Sequence, residues 1–420
     1  MKVPFFRAQI SSAEIDEVND TLRSGWLTSG PKVARFEKAF AEAVGASYAV
    51  AVNSCTAALH LAVEALGLKA GQAVLVPTMT FAATAEVVRY MGAIPVLVDC
   101  DPITGNMSLE DAEHKLEDLR SGALLPQLPA SPDVVGIIPV HVGGLMMDLK
   151  ALDMFASKHD LWVIEDAAHA FPAAWRKNAG QPWRRCGNGT ATVSCFSFYA
   201  NKTITTGEGG MAVTEDPVLY ERMRLMSLHG LSQDAWTRYS GGTTWDYRIT
   251  APGFKYNLTD IAAAIGIHQL ARAESMRNQR ESVAQYYLEA LRDVEEIELP
   301  PGDPDRIHSW HLFPIRLRLE LLSINRDSFM SELKAAGVAC SVHWRPLHLH
   351  PYYEVEFGWP AEFFPVATDL WQQLVSLPIF PGMTGEEMNF VVDAVKRICS
   401  KKSHQVSQGQ NVVATVPAVS

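Results

Sequence analysis

Ser194-Cys195-Phe196-Ser197-Phe198-Tyr199-Ala200-Asn201-Lys202-Thr203-Ile204-Thr205-Thr206-Gly207-Glu208-Gly209-Gly210-Met211 is the stretch from which the rest of the chain is read. An apolar, strand-like run delivers one lysine into a turn, and a glycine-rich segment follows. A lysine placed where a strand leaves the core loses solvent and approaches neutrality, and a neutral amine is what imine chemistry on a carbonyl group requires. The ordinary fate of a loop lysine is to be solvated, so Lys202 gains meaning only from what the chain places around it.

Outward from this stretch, short β-rich runs alternate with helical patterns between about residues 45 and 230. Tyr48–Val52 leads into Thr56–Leu66, and Ala73–Val76 precedes Thr80–Tyr90, with Ile94–Val98 after it. Val134–Val142 precedes Leu149–Lys158, and Leu161–Ile164 follows. Several of these runs are apolar throughout, which predicts strands buried on both faces of a mainly parallel sheet. Alternation of strand and helix predicts α/β architecture. A long helix is expected over Leu258–Val294, opened by Asn257 with Asp260 in its first turn. Strands at Leu312–Leu317 and Ala339–His343, with helices at Arg326–Ala336 and Glu386–Ile398, then predict a smaller α+β unit. The expected division is 1–255 for the large unit, with an N-terminal segment packing on the small one, 256–400 for the small unit, and 401–420 as a disordered tail. Ser121–Pro132 and Arg176–Asn188 read as inserted surface loops.

Composition narrows the function classes. At 420 residues the chain exceeds one simple core, and 48% hydrophobic with 20% charged residues is ordinary globular composition. A net charge of −11 disfavours a nucleic-acid groove or an anionic membrane surface as partner. Six scattered cysteines, with no Cys-x-x-Cys pair, argue for a reducing compartment and against a disulfide framework. Met1–Arg7 lacks the apolar core of a signal peptide, so a cytoplasmic location is expected.

Four constellations carry chemistry. Asn53-Ser54-Cys55-Thr56-Ala57-Ala58 follows a strand and opens a helix, where free N–H groups suit a phosphate; a plain N-cap by Ser54 or Thr56 explains it equally. Val163-Ile164-Glu165-Asp166-Ala167-Ala168-His169 ends a strand at the sheet edge where α/β folds bind ligands. A buried Asp166 there needs a cationic partner such as a protonated pyridine nitrogen, or else it caps a helix while His169 packs. Phe81, in Pro77–Thr84, begins a helix beside the same edge and either lies on a planar ring or joins the core. His343-Trp344-Arg345-Pro346-Leu347-His348-Leu349-His350 is histidine-rich, but no carboxylate or cysteine stands at a ligand spacing. We expect no metal there; His348 and His350 share one face if the segment is a strand.

In this order around Lys202, the pieces resemble the DegT/StrS family of pyridoxal-phosphate-dependent nucleotide-sugar aminotransferases. The resemblance runs from Ser24–Pro31 to Leu377–Pro381, with the Ser-Phe…Lys…Gly-Glu-Gly-Gly signature intact. Pro252–Asp260 and Ile164–Ala170 look closest to the branch making UDP-4-amino-4-deoxy-L-arabinose. The resemblance implies fold type I, the aspartate-aminotransferase-like α/β fold: a large domain with a mixed, mostly parallel seven-stranded sheet, and a smaller C-terminal α+β domain. It implies that Lys202 holds the cofactor covalently and shuttles the proton, with Asp166 on the ring nitrogen, His169 beside the ring and Phe81 on its face. Cys55 and Thr56 backbone groups with the Ser197 hydroxyl would hold the phosphate, and Asn257 would reach the neighbouring subunit's phosphate, making the unit a homodimer with shared sites. L-glutamate would give its amino group to a keto sugar on a nucleotide, with Trp26, Thr28, His343 and Arg345 as candidate substrate contacts. Cys55 stands where the family more often has Gly or Ala. Rival readings are a free keto sugar or cyclitol as acceptor, a sugar dehydratase (in which histidine replaces the lysine), a non-catalytic regulator, and a metal hydrolase.

Overall fold

The computed structural model describes residues 1–123, 132–231 and 248–410. Its centre is a seven-stranded sheet in the order β1-β9-β8-β5-β4-β2-β3. These strands are Tyr48–Val52 (β1), Ala73–Pro77 (β2), Ile94–Val98 (β3), Val134–Ile137 (β4), Trp162–Asp166 (β5), Val193–Ser197 (β8) and Gly210–Thr214 (β9). Only β9 runs against its neighbours; β8, β5, β4, β2 and β3 pair in parallel. Ala73–Pro77 and Ile94–Val98 are buried at every position, which is why both read as continuous apolar runs. On β8, strand alternation sends Phe196 and Phe198 to one face, where they pack on Phe40 with ring centroids 5.0 and 5.3 Å away. Ser197 takes the other face. The lysine turn is thereby anchored by an aromatic core beneath it.

A second, antiparallel sheet joins Ile297–Glu298 (β10), Phe313–Leu317 (β12) and Leu374–Leu377 (β13) in the order β10-β12-β13. Its core gathers Tyr287, Phe313, Phe329 and Phe380, together with Val3 from the N-terminal segment. A small third sheet pairs Ala174–Trp175 (β6) with both Arg184–Arg185 (β7) and Arg306–Ile307 (β11).

Several expectations change. The long helix starts at Asp260 rather than Leu258, because Thr259 and not Asn257 is its N-cap, accepting from the Ala262 N–H at 3.2 Å. It breaks at Arg272 and resumes over Ala273–Leu291. The expected strand Ala339–His343 is absent. Its backbone partners are divided: Val338 bridges to Val3, Ala339 donates to the Val3 carbonyl, and only Ser341 bridges to Ser376. Arg176–Asn188 is more than a surface loop, since it contains β7, buries Cys186, and is tied down by the ion pairs Arg176–Asp305 (2.7 Å) and Arg185–Glu274. The last helix runs from Gly385 to Gln410, ten residues into the expected tail, with Lys402 paired to Glu332 at 3.0 Å. Positions 124–131 of the other expected loop lie outside the described residues.

The boundary expected at 255/256 also moves. The helix Asp260–Ala271 packs in the large core through Ala263 and Ile267, and core membership changes between Met276 and Val283. Residues 347–374 then return to the large core through Leu347, Tyr353, Phe357, Trp359, Phe364 and Leu370.

Candidate active site

The C-terminal ends of β1, β2, β4, β5 and β8 converge on one cavity of about 600 Å³. Lys202, Asp166, His169, Ser197, Cys55, Thr56, Phe81 and His343 all line it, joined by Tyr199, Glu208, His311 and Trp344.

Lys202 sits in a tight turn whose backbone is closed on itself. Its N–H donates to the Tyr199 carbonyl (2.9 Å), and Phe198 N–H reaches the Gly209 carbonyl (2.9 Å). Burial lowers its amine to about 8, a shift that the nearby Cys55 and Asp166 oppose and Arg280 assists. Nζ lies 3.5 Å from His311 Nε2. Asp166, the last residue of β5, is 5% exposed. Its oxygens accept from the Thr84 hydroxyl (2.8 Å) and the Ala168 N–H (3.1 Å), both neutral donors, and no ion pair reaches it among the described residues. Burial therefore pushes the Asp166 carboxyl above the ordinary carboxylate value despite those two bonds.

Behind Asp166 the strand is pinned by Glu165. That carboxylate accepts from the Ser194 (2.6 Å) and Thr190 (2.8 Å) hydroxyls and faces His141 Nε2 at 3.4 Å without hydrogen-bond alignment. Burial pushes the Glu165 carboxyl up, but His141 and the hydroxyls hold it below the ordinary value.

His169 is packed and poised at once. Its ring lies against Trp344 (centroids 5.0 Å, nearly parallel) and His311 (4.2 Å), and burial drives its basicity far down. Gly143 N–H donates to Nδ1 at 3.3 Å, so the neutral ring carries its proton on Nε2.

Ser54 is the N-cap of the Cys55–Ala65 helix: its hydroxyl accepts from Ala57 N–H (3.1 Å) and its carbonyl from Ala58 N–H (3.1 Å). The Cys55 and Thr56 N–H groups are left unpaired among the described residues, at the positive end of the helix dipole. Gly210 explains how β9 comes so near this turn. A Cβ there would stand 2.4 Å from Ser54 carbonyl atoms and 2.6 Å from Cys55 N. Capping and anion binding are compatible, because they use different N–H groups.

These features fit pyridoxal phosphate. The helix N-terminus offers two donors to a phosphate, the uncompensated Asp166 suits a protonated ring nitrogen, and Lys202 offers an amine that is partly neutral near pH 8. Phe81 stays 64% exposed at the rim and is not a core residue.

Four expected residues do not line this cavity. Trp26, Thr28 and Asn257 gather around Ser29 instead: Trp26 Nε1 donates to the Ser29 carbonyl (3.1 Å), Asn257 Nδ2 donates to Ser29 Oγ (2.7 Å), and the Thr28 carbonyl accepts from Asp260 N–H (3.2 Å). Arg345 is exposed and turned onto the Leu349 carbonyl (2.6 Å). The histidine-rich segment is a short turn over Leu347–Leu349 rather than a strand, and buried His348 sits between the Thr78 and Thr368 hydroxyls at 2.7 and 3.1 Å. His311, Thr84 and Trp344 are the contacts that sequence reading missed. His311 and Trp344 stand in histidine- and tryptophan-bearing runs, Ser309–Leu312 and His343–His350, with no spacing that ties them to Lys202.

The fold and this site define a pyridoxal-phosphate-dependent transaminase of fold type I acting on sugars. The chain belongs to the DegT/DnrJ/EryC1/StrS aminotransferase family, whose model matches residues 8–396. It is similar to the spore coat polysaccharide biosynthesis protein SpsC of Bacillus subtilis, 40% identical over 94% of this chain and 97% of that one. Among solved structures it resembles the PLP form of Streptococcus pneumoniae Spr1654 (30% identity, TM-score 0.83, 96% and 99% of the two chains). It also resembles S. venezuelae DesV (31% identity, TM-score 0.82, 95% and 98%). No helix among the described residues is long and apolar enough to cross a membrane.

Proposed function

We propose that the enzyme moves the amino group of L-glutamate onto a keto group of a nucleotide-linked sugar, a 4-keto sugar in surface polysaccharide or lipid-sugar synthesis, with Lys202 as its reactive amine. The observation that carries this reading is the meeting of Lys202, Asp166 and the open helix N-terminus at Cys55 in one cavity. The name of the relative SpsC supports the polysaccharide setting.

When bound, pyridoxal phosphate supplies an aldehyde that takes up an amino group and a ring that withdraws electrons from the reacting carbon. The rest is the work of the chain. Cys55 and Thr56 N–H groups, with the Ser197 hydroxyl, would hold the phosphate. Asp166 would keep the ring nitrogen protonated, His169 Nε2–H would offer a donor to the ring, and Phe81 would lie beside it. Lys202 Nζ first anchors, then takes and returns the proton at the reacting substrate carbon. His343, whose ring meets Trp344 edge-on and whose basicity burial lowers to about 4, borders the substrate side as a neutral group.

The functional unit on this reading is a homodimer in the cytoplasm. Trp26, Thr28 and Asn257, clustered away from their own cavity, complete the partner's site, and Arg345 meets the sugar nucleotide. Exposure of the rim aromatics Phe81 (64%) and Tyr199 (47%) supports a covering subunit.

Purified protein supplied with cofactor is expected to show an absorption band near the visible edge that Lys202→Ala lacks, and borohydride should fix the cofactor on Lys202. Failure of the wild type to take up such a chromophore sinks the proposal. A panel of keto sugar nucleotides with glutamate, read by product mass, identifies the acceptor; turnover of only free sugars or cyclitols would replace it.

A further inference from the structure

Arg280 is 2% exposed on the Ala273–Leu291 helix and forms no ion pair among the described residues. A buried guanidinium without a carboxylate is expensive. One of its nitrogens, Nη1, donates to three carbonyls: Ile379 (2.8 Å), Trp310 (3.2 Å) and His311 (3.3 Å). Its Nε has no partner among the described residues. The Trp310 and His311 carbonyls belong to the segment that carries His311, and the Ile379 carbonyl ties that segment to the chain after β13. His311 Nε2 faces Lys202 Nζ at 3.5 Å, and its Nδ1 is buried without a partner among the described residues. Among the described residues the lysine is the one side chain within hydrogen-bond reach of the His311 ring, which otherwise packs on the His169 ring.

We propose that His311 and Arg280 are a positioning pair for the Lys202 amine: the guanidinium fixes the backbone that carries the imidazole, and the imidazole fixes where Nζ points. The proposal rests on Lys202 being the reactive amine. The groups facing the pair are Asp166, Cys55, His169 and His343. Cys55 is a buried thiol that burial pushes well above the ordinary thiol value, so it stays neutral. Burial does most to lower the Lys202 amine, and Arg280 adds a like charge in the same direction. His311, also depressed by burial first and then by His169, Lys202 and Arg280, stays uncharged and adds no repulsion.

The test uses cofactor-free protein as well as holoenzyme. Labelling with trinitrobenzenesulfonate, followed at the Lys202 peptide by mass across pH, reads the amine's midpoint, expected near about 8 in the wild type. Arg280→Met removes the smallest of the contributions to that depression and should raise the midpoint by a few tenths of a unit, cutting labelling at pH 7 about twofold. Arg280→Lys keeps the charge and should leave the midpoint in place while slowing cofactor capture. His311→Phe keeps an aromatic plug but should slow capture of pyridoxal phosphate about tenfold or more, with His311→Asn restoring part of it. A purely structural role predicts the wild-type midpoint in Arg280→Met and capture within twofold in His311→Phe; that pair of results overturns the proposal. If Arg280→Met does not fold, the two His311 variants decide alone, by slowed and rescued capture or by none. A chromophore that persists in Lys202→Ala instead overturns the functional reading on which this pair depends.

Discussion

Asp166 is a carboxylate removed from water and given only two neutral donors, Thr84 and Ala168. A residue so placed is unfavourable in the empty protein and useful only when a cation arrives. Asp166→Asn should therefore raise the melting temperature of the cofactor-free protein while lowering kcat of the holoenzyme by about 10²–10³-fold. A variant that loses stability together with activity would show that Asp166 is held for structure. At this scale the sequence was informative where chemistry sits at a strand end: Lys202 and Asp166 are each fixed by a neighbouring apolar run. It was silent about His311, because 109 residues separate it from Lys202 and only tertiary packing brings the ring to the amine. Thr84 was equally hidden, one hydroxyl in a helix that reads as amphipathic.

Among the elements, β9 and the Cys55–Ala65 helix are the closest fit in the site. The β9 backbone at Gly210 passes so near the Ser54–Cys55 peptide that any side chain collides with backbone, which cannot swing aside. Gly210→Ala should cost about 1–3 kcal/mol in denaturant unfolding and weaken pyridoxal phosphate binding more than it weakens the fold. Equal binding by variant and wild type would place the collision elsewhere. Gly-Glu-Gly-Gly was visible as a motif, yet its reason is a distance between two elements and not a turn. Element boundaries were legible where burial is two-sided, as for Tyr48–Val52 and Ile94–Val98, which match to the residue. They failed where partners compete. Thr259 rather than Asn257 caps its helix, since Asn257 spends its amide on Ser29, and Ala339–His343 divides its backbone between two neighbours.

For the whole molecule, the buried histidines set the response to acid. His169 and His311 are driven far below the ordinary value, His308 to about 3, and His343 and His348 to about 4, in each case by burial first. A depressed folded value means the unfolded chain binds the proton more readily. Stability is then intact above about 6.5 and is lost as pH falls from there toward about 4. The raised carboxylates Asp99, Asp166 and Asp260 oppose this loss. With six depressed histidines, His60 among them, against three raised aspartates, melting temperature should fall steadily from pH 7 to pH 5, and His308→Gln should flatten the slope if the variant stays folded. A profile level across that interval would mean that these imidazoles are not withheld from protonation.

The two-core organisation was readable in outline, but not the path of the chain between the cores. It leaves the first core between Met276 and Val283, re-enters it from Leu347 to Leu374, and crosses to the second again at Val375, on the very next residue of β13. Val3 belongs to the second core from the outset. No single cut separates the two bodies, and neither is one contiguous segment of the chain. A fragment ending after residue 276 would lack the Leu347–Leu374 part of its own interior, and one starting there would lack Val3. A single crossover therefore cannot exchange one body of this enzyme for another's as a cassette, because the two interiors interleave along residues 3 to 399.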